Sequence, residues 1–249
     1  MQDTVKILGI PFSKMTLDQT TERIAGHIQD NTSTLFHVIT ANPEIAIRHQ
    51  SDPLLRTIVE QADHITPDGI GIVIASRRAG DPIPERVTGY DLLLRLLEKG
   101  NAAGWSFYFL GTDEETNRKA VEEIRRRFPS VAIAGRHNGF FTEEEGRLVI
   151  QEIQSVRPDF LIVAMGAPYS DKWLHKYKEE LACVKVAFGV GGSLDVIAGK
   201  VKPTPQLWKR LHLEWLHRLL TVPVAEGQAS RWRRQTALPK FVYRAIIKG

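Results

Sequence analysis

Short apolar runs rich in β-branched residues alternate along this chain with segments of helical pattern, and this alternation restricts the fold most. The runs that predict buried strands are LFHVIT (35–40), WSFYFL (105–110), VAIAG (131–135), FLIVAM (160–165) and VKVAF (184–188). Three Thr-x-x-Glu/Gln pairs between or before them predict helix starts with capping boxes, at Thr16, Thr112 and Thr142. The pattern predicts an α/β, Rossmann-like fold, with a mostly parallel sheet and helices on both faces.

A change in composition near residues 199–205 divides the 249-residue chain into two parts. Residues 200–249 contain 11 Lys+Arg and 2 Asp+Glu, whereas the preceding residues contain 22 and 27. LWKRLHLEWLHRLL (207–220) has the pattern of an amphipathic helix. We therefore expect an α/β catalytic domain at 1–199 and a basic, helical C-terminal appendage at 200–249.

The basic appendage indicates an anionic partner. Its Lys and Arg are interleaved with aromatic residues, namely Trp208, Trp215, Trp232, Phe241 and Tyr243. This composition suits the headgroup zone of an anionic membrane, which is the interpretation that we favour. Ordinary packing on the body and binding of single-stranded nucleic acid are the alternatives, and we expect no nucleic-acid partner.

No apolar run approaches the roughly 20 residues that span a bilayer, so we expect peripheral attachment to the membrane. The single cysteine fits a reducing compartment. The expected location is therefore cytoplasmic, on the inner face of the cell membrane.

Polar or glycine-rich turns follow five predicted strands, where ligands of parallel sheets usually bind. These turns are 40–44, 67–71, 111–113, 166–168 and 189–195. Gly111, Gly166, Gly191 and Gly192 would allow backbone N–H groups to approach a phosphate closely. The spacing is not G-x-G-x-x-G, and a tight strand–helix turn explains Gly191 and Gly192 equally well. Asp195 is predicted either to cap a helix or to bind a base or ribose.

Asp68, in TPDGIGIV, has two interpretations. It could be the N-cap of an apolar helix. It could also be a general base that accepts the proton of an attacking hydroxyl. Thr40 and Asn42 follow another strand and could orient a substrate or this carboxylate, although Asn42 before Pro43 is also typical of turns.

The sequence predicts neither a metal nor a cofactor. It has no D-x-D and no metal-binding histidine pattern. Charge on a diphosphate would then have to be neutralised by arginines. Arg86 follows a proline-rich loop, and Arg218, Arg231 and Arg234 lie in the appendage.

Along almost its whole length the chain resembles the WecG/TagA/CpsF family of bacterial glycosyltransferases. The resemblance is carried by TANPE (40–44), ADHITPDGIGIV (62–73), RVTGYDLL (86–93), FYFLGT (107–112), GRHNGFF (135–141), PDFLIVAMGAP (158–168), FGVGGSLDVIAGKVK (188–202), LEWLHRLL (213–220) and SRWRRQ (230–235). It implies an inverting, metal-independent transfer of N-acetylmannosamine from its UDP-sugar to undecaprenyl-diphosphate-linked N-acetylglucosamine, a step of wall teichoic acid synthesis. The alternative within the family is transfer of N-acetylmannosaminuronic acid or glucose to an undecaprenyl-linked acceptor.

The resemblance also implies roles for individual residues. The family's base falls on Asp68, and the polar residues of its first block fall on Thr40 and Asn42. Gly191, Gly192 and Asp195 correspond to the part that holds the nucleotide. The arginines that close over the donor diphosphate correspond to Arg218, Arg231 and Arg234.

The chain departs from the family pattern at three places. Ser170-Asp171 replaces the usual Gln-Glu, Pro203-Thr204-Pro205 replaces Arg-Ala-Pro, and extra residues stand near 224–229. The first change bears on substrate contacts, and the others bear on how the appendage folds back. Homo-oligomerisation that hides the site until the appendage meets a membrane is a further possibility.

Two other classes of function fit parts of the sequence. A nicotinamide-dependent oxidoreductase fits the α/β pattern and the glycine loops, but the missing G-x-G-x-x-G argues against it. A nucleic-acid-binding module fits only the basic appendage.

Overall fold

The computed structural model describes residues 3–30, 34–201 and 237–248. An N-terminal hairpin is formed by β1 (Thr4–Ile7) and β2 (Ile10–Ser13). The main sheet consists of β3 (Phe36–Ala41), β4 (His64–Pro67), β5 (Ser106–Gly111), β6 (Ala132–His137), β7 (Phe160–Ala164) and β8 (Val186–Gly189). All its pairings are parallel, and the strand order is β4-β3-β8-β7-β5-β6. This confirms the predicted parallel α/β sheet.

Nine α-helices lie between and beside these strands in the described part of the chain. They are α1 (Leu17–Gln29), α2 (Pro43–His49), α3 (Pro53–Glu60), α4 (Ile70–Arg78), α5 (Gly89–Ala103), α6 (Glu114–Arg127), α7 (Glu143–Val156), α8 (Tyr169–Lys176) and α9 (Ser193–Ile197). Residues 237–241 are also helical and lead into a π-helix, Val242–Ile247. The end of the appendage is therefore helical, whereas the helix predicted at 207–220 lies outside the described residues.

The core confirms that helices cover both faces of the sheet. Successive residues of one strand point to opposite faces. In β5, Phe107 packs into a cluster with residues of α1, α5, α6 and α9, whereas Tyr108 packs into a cluster with residues of α7 and α8. In β3, Val38 joins the first cluster, and Ile39 joins a third that contains the hairpin and residues of α2, α3 and α4.

Two of the three predicted capping boxes are confirmed, at Thr16 and at Thr142. The third prediction is wrong, because Asp113 caps α6 and accepts from the N–H of Thr116 at 2.9 Å. Thr112 has a φ of 53°, and its side chain points toward Asp195.

The prediction of a buried strand at 131–135 is also wrong. This strand, β6, is an edge strand paired only with β5, so Ala132 is exposed and the rest is half-buried.

His64 lies on β4, and the titration of its side chain tests whether it is buried. Its imidazole is 1% exposed, with Nε2 3.3 Å from Oγ1 of Thr20. Burial, and secondarily the nearby Arg23, lowers the pKa of His64 from 6.5 to about 4. Between those two pH values the unfolded chain binds a proton that the folded chain does not bind. We therefore expect the free energy of unfolding to fall by about 3 kcal/mol from this group as the pH drops through that window.

Urea unfolding at pH 7 and at pH 4 measures this effect. His64→Gln, whose side chain cannot titrate, should reduce the pH dependence of the free energy of unfolding. Equal pH dependence in the unmodified chain and in His64→Gln would contradict a neutral, buried His64.

Candidate active site

Asp68 lies directly after β4, at the carboxyl edge of the sheet. Its backbone N–H donates to the carbonyl of Ala41 at 3.0 Å and to that of Thr66 at 3.1 Å. The first of these bonds ties Asp68 to the end of the neighbouring strand β3. As a result, the half-buried Asp68 stands beside the turn that contains Thr40 and Asn42.

The helix-cap interpretation of Asp68 is wrong. The N-cap of α4 is Gly69, and no side chain caps this helix. Gly69 has a φ of 129°, and an added Cβ would lie 3.1 Å from Cδ of Pro43, so only glycine fits this turn. The Asp68 carboxylate instead faces the first residue of α5, where the N–H of Gly89 lies 3.5 Å from Oδ2. The positive end of the helix dipole interacts favourably with a carboxylate in this position.

Thr40 and Asn42 border the same edge. Thr40 donates its hydroxyl to the carbonyl of Gly189 at 3.0 Å, which links the ends of β3 and β8. A Cβ added at Gly89 would lie 3.1 Å from Oγ1 of Thr40, so the start of α5 touches both Thr40 and Asp68. Asn42 caps α2 by accepting from the N–H of Ile45 at 3.0 Å, which confirms its turn role. A contact of either residue with substrate stays a prediction.

A second polar cluster joins the loops after β5 and β8. Thr112 donates its hydroxyl to Oδ1 of Asp195 at 3.1 Å. Lys200 lies 2.5 Å from Oδ2 of Asp113 and 3.9 Å from Oδ1 of Asp195. The Lys200 ammonium holds the pKa of Asp113 well below its usual range, whereas burial raises the pKa of Asp195. Asp195 lies in the first turn of α9 without capping it, because the N-cap is Gly192.

The four predicted glycines lie in these turns for different reasons. Gly111, with a φ of 132°, packs against β7 so closely that an added Cβ would lie 2.4 Å from the carbonyl carbon of Ala164. Gly166 and Gly191 have positive φ, and a Cβ at Gly191 would meet nothing within 4 Å. Space is therefore open beside Gly191, whereas Gly111 is required for strand packing. Contact of these glycines with a nucleotide stays a prediction.

The predicted arginines are not brought together within the described residues. Arg86 is half-buried in the stretch before α5, while Arg218, Arg231 and Arg234 lie outside the residues that the structure describes.

Ser170 and Asp171, where the chain departs from the family pattern, are buried in α8. Asp171 lies 3.5 Å from Nε2 of His37 on β3. The hydroxyl of Ser170 donates to the carbonyl of Val163 at 3.4 Å and so connects α8 to β7, whereas Oδ1 of Asp171 and Nε2 of His37 form no hydrogen bond with the described residues.

Among residues 3–30, 34–201 and 237–248, no group of three or more His, Cys, Asp or Glu is arranged to hold a metal ion. Within the same residues, no helix is long and apolar enough to cross a membrane.

Four residues of the two clusters were not predicted as site residues. Gly89 meets the Asp68 carboxylate, Thr112 holds Asp195, and Lys200 pairs with Asp113. A signal existed only for Thr112 and Asp113, which stand in a glycine turn after a strand. The contacts of Gly89 and Lys200 span 21 and 87 residues of sequence, so no local pattern indicates them.

A parallel sheet with a carboxylate after one strand and a threonine–aspartate pair across two others forms a polar edge of the kind where ligands of α/β enzymes bind. Residues 5–249 match the profile described as "Glycosyl transferase WecG/TagA/CpsF family". The chain belongs to this family of glycosyltransferases. The resemblance seen in the sequence is thereby confirmed over nearly the whole chain.

Similar proteins carry one specific name. A protein from Bacillus spizizenii is 38% identical over 211 residues, which cover 85% of this chain and 78% of that protein. One from Bacillus subtilis is 32% identical, with 96% and 89% covered, and one from Staphylococcus aureus is 30% identical, with 96% and 91% covered. Each is named N-acetylglucosaminyldiphosphoundecaprenol N-acetyl-beta-D-mannosaminyltransferase.

Proposed function

We propose that this glycosyltransferase moves N-acetylmannosamine from UDP-N-acetylmannosamine to N-acetylglucosaminyldiphosphoundecaprenol; the transferred sugar and the acceptor are those that the names of its relatives give. The observation that carries the proposal is the shared name of relatives that align with 85–96% of this chain. The position of Asp68 at the carboxyl edge of the sheet supports it. In bacteria that make wall teichoic acid, this reaction would build the linkage unit.

The chemistry assigned to Asp68 is that of a general base. The acceptor hydroxyl gives its proton to the Asp68 carboxylate as its oxygen bonds to the anomeric carbon of the donor sugar. The bond from that carbon to the diphosphate oxygen breaks, and UDP leaves with the electron pair. Attack opposite the leaving group inverts the configuration. Thr40 and Asn42, which border the same edge, are proposed to orient the acceptor.

The nucleotide is assigned to the second polar cluster. Neighbouring strands are about 4.8 Å apart, so the loop after β8 lies about 10 Å from that after β4, two strands away. A donor lying across this edge would present its ribose to Asp195 and its diphosphate to the backbone of Gly192 and to the open space at Gly191. Arg86 and the appendage arginines Arg218, Arg231 and Arg234 are proposed to neutralise the departing diphosphate.

The acceptor is a lipid, so we propose that the enzyme works on the inner, anionic face of the cell membrane. The excess of Lys and Arg after residue 200 supports this location. Assembly into a homo-oligomer that covers the site away from the membrane is proposed as its regulation.

A donor screen tests the function directly. The purified chain is mixed with a polyprenyl-diphosphate-N-acetylglucosamine analogue and one UDP-sugar at a time, and UDP release and product mass are measured. We expect acceptor-dependent turnover with UDP-N-acetylmannosamine and at least tenfold less with UDP-glucose or UDP-N-acetylmannosaminuronic acid. Preference for another sugar would correct the donor, and no turnover with any of them would refute the proposed reaction.

A further inference from the structure

One buried side chain of α6 reaches the ends of two strands at the carboxyl edge of the sheet. Asn117 is fully buried, and its Nδ2 lies 2.9 Å from the carbonyl oxygen of Gly111, the last residue of β5. The same nitrogen lies 3.0 Å from the carbonyl oxygen of His137, the last residue of β6, and 3.3 Å from that of Phe109. Asn117 therefore ties β5 to β6 at the point where both strands end.

The orientation of the Asn117 amide follows from its neighbours. The three carbonyl oxygens can only accept hydrogen bonds, so the donating Nδ2 must face them and share its two hydrogens among them. Oδ1 of Asn117 accepts no hydrogen bond from the described residues. The side chain therefore acts on the two strand ends through its donor alone.

The strand ends that Asn117 holds carry the second polar cluster. Thr112 directly follows Gly111, and its backbone carbonyl accepts from the N–H of Gly139, in the loop after β6, at 2.8 Å. A Cβ added at Gly139 would lie 2.9 Å from Cα of Gly111, so the two loops are in close contact. Thr112 donates its hydroxyl to Oδ1 of Asp195 at 3.1 Å. A shift of either strand end would therefore move the hydroxyl that Asp195 accepts.

We propose that Asn117 is a positioning residue for the nucleotide of the donor. Thr112 has a φ of 53°, which is unfavourable for a β-branched residue and persists only where the surroundings enforce it. By fixing the strand ends on both sides of this turn, Asn117 keeps the Thr112 hydroxyl on Asp195, and Asp195 is thereby held toward the ribose. Asn117 itself is fully buried and touches no substrate. This role rests on the proposed function, which assigns the nucleotide to the second polar cluster.

Calorimetric titration of the full-length chain with UDP tests the proposal. Asn117→Leu keeps the size of the side chain and removes the donor, whereas Thr112→Val keeps the shape of the threonine and removes its hydroxyl. We expect each variant to bind UDP about tenfold more weakly, because small displacements of a binding group have effects of this order. The KM for the acceptor analogue should stay within about twofold, since the acceptor is assigned to the edge beside Asp68.

The double variant distinguishes positioning through Thr112 from a separate effect of Asn117. If both residues act through one turn, Asn117→Leu with Thr112→Val should bind UDP about as weakly as either single variant. Losses that multiply to about a hundredfold would overturn the proposal, and so would unchanged UDP affinity in a folded Asn117→Leu. If Asn117→Leu does not fold, Thr112→Val decides: a tenfold loss supports the turn as the nucleotide support, and unchanged affinity refutes it.

Ser106→Ala is the matched control, because Ser106 ties the opposite end of β5 to the start of β7. Its hydroxyl donates to the carboxylate of Asp159 at 2.9 Å and accepts from the N–H of Asp159 at 2.9 Å. This control should lower the midpoint of urea unfolding and leave the affinity for UDP within about twofold. A loss of UDP affinity as large as that of Asn117→Leu would reduce Asn117 to a residue that only stabilises the fold.

Failure of the proposed function gives a different result. If the unmodified chain does not bind UDP, the assignment of the nucleotide to this cluster is wrong, and the role of Asn117 falls with it. If the unmodified chain binds UDP and the Asn117 and Thr112 variants bind it equally well, the proposed reaction stands, and only the role of Asn117 is refuted.

Discussion

Asp68→Asn should lower kcat by about 10²–10⁴-fold while the affinity for UDP stays within twofold of the unmodified chain. The amide keeps the size of the side chain but cannot accept the proton of the attacking hydroxyl. The backbone bonds of Asp68 to Ala41 and Thr66 do not involve the side chain, so the turn should survive the change. Steady-state kinetics with the acceptor analogue gives kcat, and calorimetric titration gives the affinity for UDP.

Asp63→Asn is the matched control, because Asp63 precedes the same strand at its opposite end. Its carboxylate accepts from the N–H of His37 at 2.8 Å, and an amide oxygen can do the same. We expect kcat of this control to change less than twofold. A kcat of Asp68→Asn equal to that of the control would remove Asp68 from the role of base.

Phe241→Ala should release the C-terminal segment, residues 237–248, from the body. Replacing a fully buried phenylalanine by alanine costs roughly 3–5 kcal/mol of stability. The ring of Phe241 is fully buried in the cluster that contains the hairpin, and it packs beside Gly71. The two other core clusters do not include Phe241, so we expect the body to remain folded. Hydrogen exchange of residues 237–248 should rise sharply, while exchange in β5 and β7 should not change.

Phe241→Ala should also lower turnover at least tenfold, because the segment is no longer held on the body. Arg234, which is proposed to neutralise the departing diphosphate, stands three residues before Ala237 in the sequence. Phe241→Leu should keep most of the docking and activity, and Tyr243→Ala on the exposed side of the segment should not release it. Full turnover by a chain whose segment exchanges freely would show that the docked segment supplies nothing to catalysis.

Much of the fold follows from local pattern, because strands and helices differ in the period of their apolar residues. The strands β3, β5, β7 and β8 and the starts of α1 and α7 are predicted correctly. The errors lie at residues whose burial or conformation depends on packing with other parts of the chain. The apolar run at 131–135 has no partner on its outer side, so β6 is only half-buried. Thr112 has the spacing of a cap, but its positive φ turns it toward Asp195 and leaves the cap to Asp113.

In the candidate site, too, some features follow from the local sequence and others only from the packing of distant residues. The sequence indicates Asp68, Thr40 and Asp195, because polar residues after parallel strands meet at one edge. It leaves Asp68 open between cap and base. The structure excludes the cap through the conformation of Gly69, which no count of spacing reveals. The roles of Arg86, Arg218, Arg231 and Arg234 remain predictions.

By itself, the sequence determined that this chain forms a parallel α/β sheet with Asp68 at its carboxyl edge, because residue type and period act over a few neighbours. Only the tertiary structure decided the strand order, in which β8 lies between β3 and β7 and joins Thr40 to Gly189. It also decided that Phe241 returns to α4. Such contacts depend on how distant surfaces fit together, and local periodicity carries no information about that fit.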